Sequence, residues 1–358
     1  MTSLPRSLSA SLPATLSETT PDSPLRRNLL GAIATVPFWT SSAFAQTTNL
    51  KISHQFPGGT INEGDFRDRL TRMFAEGVSK RTNGALKFDI YPGSSLMKTN
   101  SQFSAMRKGA LDMSLVPLNY AGGEVAETNI GLMPGLVTSY QQGAAWKNAE
   151  VGKELARILA EKGVLIVSWI WQAGGVASRG KAIVEPADAK GMKIRGGSRE
   201  MDMILKEVGA AVVTLPSNEI YAAMQTGAMD AAMTSSTSFI SFRLEEVTKS
   251  LTTGRDKAYW YMFEPLMISK AVFDRLPKDQ QAAIMAVGAE MEQFAMKAAQ
   301  VDDNAVAVVY QKAGSKIFDL NAAVVKKWQD IARVTAWKDF AARNASCANL
   351  LQLAEKLL

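Results

Sequence analysis

The sequence is short of the residues from which most catalytic sites are built. Its 358 residues hold one cysteine, Cys347, and one histidine, His54. A single cysteine excludes an internal disulfide and a cysteine-rich zinc site. A single histidine argues against a His-ligated metal centre and against a Ser-His-Asp triad. No enzyme, cofactor or metal is therefore expected. His54 reads as structural or at a cleft rim, and Cys347, flanked by Ala345, Ala348 and Leu350, as a buried thiol. Beyond residue 45 no apolar run approaches the roughly 20 residues that a membrane helix needs. One sign of charge only slightly outweighs the other, at +6. That excess does not demand nucleic acid, but it steers anions inward. The composition, 47% hydrophobic and 21% charged, is that of an ordinary globular chain and excludes disorder over most of its length.

The first 45 residues read as an address. A Ser, Thr and Pro-rich stretch leads to Arg26-Arg27-Asn28-Leu29-Leu30, then an apolar segment, then Ala43-Phe44-Ala45. These are the n-region, h-region and cleavage site of an export signal, and the paired arginines resemble the twin-arginine type. Residues 1–45 are expected to be removed, leaving a protein in the periplasm.

The rest alternates between periods of two and of about four. Leu50–His54 alternates like a strand, while Phe66, Leu70, Phe74 and Val78 share a helical face. Leu86–Tyr91 is the next strand, Gln102–Lys108 a helix, and Leu111–Leu115 a third strand closed by Pro117. Strand and helix in turn predict βαβ units and a mainly parallel sheet. The pattern resumes with a helix ending at Gly163, a single strand Val164–Trp171, a helix ending at Gly209 and a strand Ala211–Leu215. Met106-Arg107-Lys108-Gly109-Ala110-Leu111-Asp112 and Met224-Gln225-Thr226-Gly227-Ala228-Met229-Asp230 are alike, which points to two similar α/β lobes. From Pro277 the chain turns helical. Ala282–Lys312 is long enough to cross both lobes.

Two segments carry a family resemblance. Pro186-Ala187-Asp188-Ala189-Lys190-Gly191-Met192-Lys193-Ile194-Arg195 resembles the P-x-D-x-x-G-x-K-x-R signature of TRAP-transporter solute-binding proteins of the DctP type. Pro216–Asp230 resembles that family's second signature, and Phe273-Asp274-Arg275-Leu276-Pro277 also fits. The resemblance implies a two-lobed periplasmic-binding-protein-like α/β fold, with a ligand cleft between the lobes and a long hinge helix. Lobe I would comprise residues 46–172 plus about 261–298. Lobe II would comprise about 173–260 plus 299–358, with the C-terminal helices. The implied job is to capture an organic anion and pass it to a small and a large membrane permease subunit. The alternative is a binding protein of similar shape that serves an ATP-driven importer or a sensor kinase.

The resemblance makes Arg195 the ligand-carboxylate partner. Alternation along its strand supports this: Ile194 points into a core and Arg195 the other way. A desolvated carboxylate wants a planar, permanently charged fork, which arginine supplies. In the sialic-acid-binding branch a second arginine lies twenty residues earlier. Here that position is Gly175, so a sialic acid is not expected; the expected ligand is a monocarboxylate, with aromatic and keto acids included. Thr234 stands where that branch has a ligand-facing Asn, and Ser235 follows in a hydroxyl run without the acid that metal-holding relatives carry. The other expected contacts are Trp171 and Gln172, Asn119 and Tyr120 at the end of a strand, Trp260 where the chain crosses back, and Ser217.

Overall fold

The computed structural model describes residues 47–358, so the export signal expected over 1–45 lies outside the described residues. Asp65 accepts a hydrogen bond from the Arg67 amide and starts α1 (Phe66–Arg81), which follows β1 (Thr48–His54). Phe66, Leu70, Phe74 and Val78 form its buried stripe. The chain continues through β2 (Leu86–Tyr91), α2 (Gln102–Arg107) and β3 (Met113–Leu115). Helices α3 (Tyr140–Trp146) and α4 (Glu150–Glu161) lead to β4 (Val164–Ser168) and β5 (Trp171–Ser178). A second run follows: β6 (Lys193–Arg195), α5 (Arg199–Glu207), β7 (Ala211–Val213), α6 (Ile220–Gln225), β8 (Ala231–Ser235), α7 (Ser236–Ser241) and β9 (Ser250–Thr253). Strands β10 (Tyr261–Phe263) and β11 (Leu266–Ser269) return the chain to α8 (Lys270–Arg275), α9 (Lys278–Lys312) and β12 (Lys316–Asp319). The helices α10 (Ala322–Ala332), α11 (Lys338–Arg343) and α12 (Ala345–Glu355) close it.

Among the described residues there are two sheets, ordered β2-β1-β3-β11-β4 and β12-β9-β5-β8-β6-β7, with β10 paired to β5. They are the cores of two lobes. The expected parallel pairing holds within β2-β1-β3 and β7-β6-β8. Antiparallel pairing enters with the strands that cross between lobes, β11 in one sheet and β5 in the other. The single strand expected over Val164–Trp171 is two. β4 pairs in the first sheet, β5 in the second, and the chain passes between them at 169–170. A run that is apolar but for Ser168 conceals this break because most of it is buried. The chain returns at Glu264 and Pro265. Helix α9 packs on α1 and β4 on one side and on α7, β5, β9 and β12 on the other, so it spans the hinge.

The internal likeness is physical. Gly109 and Gly227, both with positive φ, end the matching helices. Ala110 and Ala228 each donate to the carbonyl five residues back at 2.9 Å. The Asp112 carboxylate accepts from the Lys51 amide at 2.8 Å, and Asp230 does the same for Lys193. In each lobe one aspartate holds the central parallel strand at the residue just before its pairing with the strand that follows that aspartate. Asp230→Ala should therefore lower unfolding free energy by about 1 kcal/mol, read in a urea titration. No loss would mean that β6 does not need this anchor.

Candidate ligand-binding site

Arg195 ends β6 and is 4% exposed. Its Nε donates to the Leu215 carbonyl at 3.1 Å, Nη1 to the Met233 carbonyl at 2.7 Å and Nη2 to the Tyr120 hydroxyl at 2.9 Å. All three acceptors are neutral. Among the described residues no carboxylate forms an ion pair with it. A guanidinium has five N–H groups, so one N–H on each terminal nitrogen is unused.

The lobes meet around this side chain. The Tyr120 hydroxyl, from the first lobe, also accepts from the Ser217 amide at 3.1 Å. Asn119 donates through Nδ2 to the Gly197 carbonyl at 2.7 Å, and its buried Oδ1 has no partner. Ser198 caps α5 and donates to the Leu132 carbonyl at 3.1 Å. A groove of about 1010 Å³ opens beside them, lined from both lobes by Asn119, Tyr120, Gly197, Asp202, Leu215 and Glu219 among others. Burial pushes the Asp202 carboxyl up to about 6, with Arg195 pulling the other way.

Trp260 and Thr234 are both buried, and both lie against Gly174. Thr234 follows Met233 on β8 and sits opposite Gly175. A Cβ at Gly174 would stand 2.1 Å from the Trp260 ring, and one at Gly175 2.0 Å from the Thr252 carbonyl oxygen. No side chain fits at 175, so a second arginine is sterically excluded there.

Three expected residues go elsewhere. Trp171 packs against Trp146 and Phe263, with centroids 5.1 and 5.0 Å apart, on the face of β5 opposite its neighbour Gln172. It lines a smaller pocket with Tyr140, Trp169 and Glu292 and not the groove beside Arg195, because its ring partners come from distant segments that the local pattern does not reveal. Gln172 donates to Glu264, and the Ser235 hydroxyl faces Arg67 at 3.5 Å. Both belong to a cluster at the lobe crossing. There Arg67, fully buried, pairs with Asp65 at 2.6 Å and Glu264 at 3.2 Å. Arg67 had no sequence signal beyond its place beside a helix cap. Gln55 was missed as well. It is 1% exposed, both atoms of its amide lack a partner, and it lies just past the end of β1, where open α/β sheets hold ligands. His54 is buried with Nε2 3.1 Å from Asp68 Oδ1, a structural role. The Cys347 thiol is buried and pushed up to about 12 by that burial, hence unreactive.

A family model described as bacterial extracellular solute-binding protein, family 7 (DctP), matches residues 59–344. A solute-binding protein of Albidiferax ferrireducens is 73% identical over 327 residues, 91% of this chain and 96% of that one. A TRAP periplasmic solute-binding protein of Rhodoferax ferrireducens, solved with bound malonate, is 74% identical with a TM-score of 0.85, over 86% of this chain and 98% of its own. DctP7 of Bordetella pertussis, solved as a receptor binding pyroglutamic acid, has a TM-score of 0.76 at 21% identity, over 86% of this chain and 100% of its own, and shares the fold.

Buried carboxyls set a pH dependence. Burial pushes Glu200 up to about 7, against Arg343, and Asp202 and Asp303 up to about 6. Unfolded carboxyls titrate near 4. The folded state thus binds these protons more tightly, and its stability falls as pH rises from about 4 to about 7. Urea unfolding at pH 5 should show the more stable protein than at pH 8, by on the order of 1 kcal/mol per pH unit across the titration. A flat or inverted profile would show that these carboxyls ionise without cost.

Proposed function

Because the chain belongs to the DctP family of bacterial extracellular solute-binding proteins, a family of receptors and not of enzymes, we propose that it captures a short organic dicarboxylate in the periplasm and hands it to the membrane subunits of a TRAP transporter. The observation that carries this reading is the buried, un-neutralised guanidinium of Arg195. Burying a lone charge is costly unless something pairs with it. Arg67 supplies the contrast: it is equally buried, but two carboxylates of the chain satisfy it. Of these two arginines it is Arg195 that keeps a fork open for an acid from outside, and it lies where both lobes converge. The order of binding is then simple. One ligand carboxylate takes the unused N–H pair, the lobes close over it, and no covalent step follows.

The expectation of a monocarboxylate gives way here to a dicarboxylate of malonate size. Malonate in a relative of 74% identity supports that choice. With Gly175 closed to any side chain, the second acid group would meet an amide donor such as the Gln55 side-chain NH2, not another arginine. No helix among the described residues is long and apolar enough to cross a membrane, which suits a partner delivered to a separate permease.

A thermal-shift screen of small carboxylates tests the reading. Malonate at a hundred times its dissociation constant should stabilise the protein by about 2.7 kcal/mol. Arg195→Ala should weaken binding by the about 3–5 kcal/mol lost when one partner of a buried ion pair is removed, roughly two to three and a half decades. Undiminished malonate binding by Arg195→Ala would defeat the proposal.

A further inference from the structure

We propose that Arg67 is a positioning residue for ligand capture: anchored to the first lobe and to the crossing strand, it holds the second lobe closed through the hydroxyls of Ser238 and Ser235. The inference rests on the reading of the chain as a receptor that closes on its ligand.

The contacts of this guanidinium divide into two groups. Nε and Nη2 donate to Asp65, the cap of its own helix, at 2.9 and 2.6 Å. Nη1 reaches Glu264 at 3.2 Å, on the segment that joins β10 to β11. Phe56, just past β1, lies under the same group at 3.6 Å. These contacts fix Arg67 to the first lobe and to the chain crossing, and they neutralise it. The second group belongs to the other lobe. Nη1 also donates to Ser238 Oγ at 3.1 Å, on α7, and faces Ser235 Oγ at 3.5 Å, at the end of β8. Ser235 in turn donates to Ser238 Oγ at 3.1 Å.

The division has a mechanical result. When the second lobe swings away, the ion pairs stay and only the hydroxyl bonds are lost. Opening therefore breaks a charge-assisted bond without exposing an unpaired buried charge. The latch is strong enough to bias closure and weak enough to release. It contributes to the closed state whatever the ligand, because nothing in it depends on the ligand's own groups. Apparent affinity scales with the fraction of closure-competent protein, so the latch multiplies the affinity that Arg195 provides. Asp302, which accepts from Thr237 of α7 at 2.7 Å, ties the same short helix to α9 and keeps its hydroxyls in place.

The variant that tests this is Ser238→Ala, which leaves the Arg67–Asp65–Glu264 ion pairs intact. Spin labels at Asn100→Cys and Lys206→Cys, exposed residues that line the groove from the two lobes, report closure. Ser238→Ala should weaken malonate binding about tenfold, at the low end for a hydrogen bond to a charged group. Ser238→Thr, which keeps the hydroxyl, should restore it. The label-to-label distances should lengthen in Ser238→Ala both without ligand and at saturating malonate. Unchanged affinity, failure of Thr to rescue, or weaker binding with unchanged distances would each overturn the proposal. Should the unmodified protein fail to bind malonate, the functional reading falls, and the label distances still decide whether Arg67 holds the lobes.

Discussion

A positive charge sealed from water without a negative partner governs this molecule. Arg195 is kept tolerable by the carbonyls of Leu215 and Met233 and by the Tyr120 hydroxyl. These dipoles compensate in part and leave a fork uncommitted. Much of the second lobe holds that arrangement still. Residue 195 ends the central parallel strand, whose first amide is tied to Asp230. The two carbonyls come from the neighbouring β8 and from the loop after β7, so the acceptors are backbone atoms that cannot rotate away.

The second constraint is the crossing. The chain passes between lobes at 169–170 and again at 264–265, and α9 bridges the two sheets. Each strand that crosses has two faces with different tasks. On β5, Trp171 faces Trp146 and Phe263, filling the back of the hinge, while Gln172 faces the Arg67–Glu264 cluster. The ring stack resists sliding by shape, and the polar cluster fixes direction by hydrogen bonds. The molecule thus uses two buried arginines in opposite electrostatic states. Arg67 is neutralised and structural at the crossing, and Arg195 is left open at the mouth.

This contrast also explains what the sequence disclosed. Strand ends and family signatures singled out Arg195, Tyr120, Asn119 and Ser217, and the structure brings them together: Arg195 and Ser217 both donate to the Tyr120 hydroxyl, and Asn119 bonds Gly197, two residues from Arg195. The two-lobe plan was legible in the repeat around Gly109 and Gly227, because the same turn and the same aspartate do the same work twice. Trp171, Gln172 and Ser235 were not legible. Alternation places Trp171 and Gln172 on opposite faces, but which face meets the cleft depends on a break between β4 and β5 that two buried apolar strands do not announce. Ser235 answers to Arg67, 168 residues away, and no local rule connects them. Gln55 shows its importance only through unsatisfied atoms, a property of the folded state alone.

The preference for an acid follows from competition inside the closed cleft. Tyr120 already offers a hydroxyl oxygen to Arg195 and to the Ser217 amide. A neutral guest bearing a hydroxyl or carbonyl would bring one more neutral acceptor to the unused N–H pair and gain little at this point. A carboxylate meets that unused pair as a charged acceptor, and such bonds are roughly twice as strong as neutral ones. Size is limited by the same contacts. Asn119 to Gly197, Tyr120 to Ser217 and Ser198 to Leu132 are direct hydrogen bonds between the lobes, made within a few residues of the guanidinium. A large acid would have to hold them apart and forgo them, whereas a short one sits inside the ring they form. On the proposed reading, charge is selected by the unused N–H pair of Arg195, and length by which bonds between the lobes survive the guest's presence.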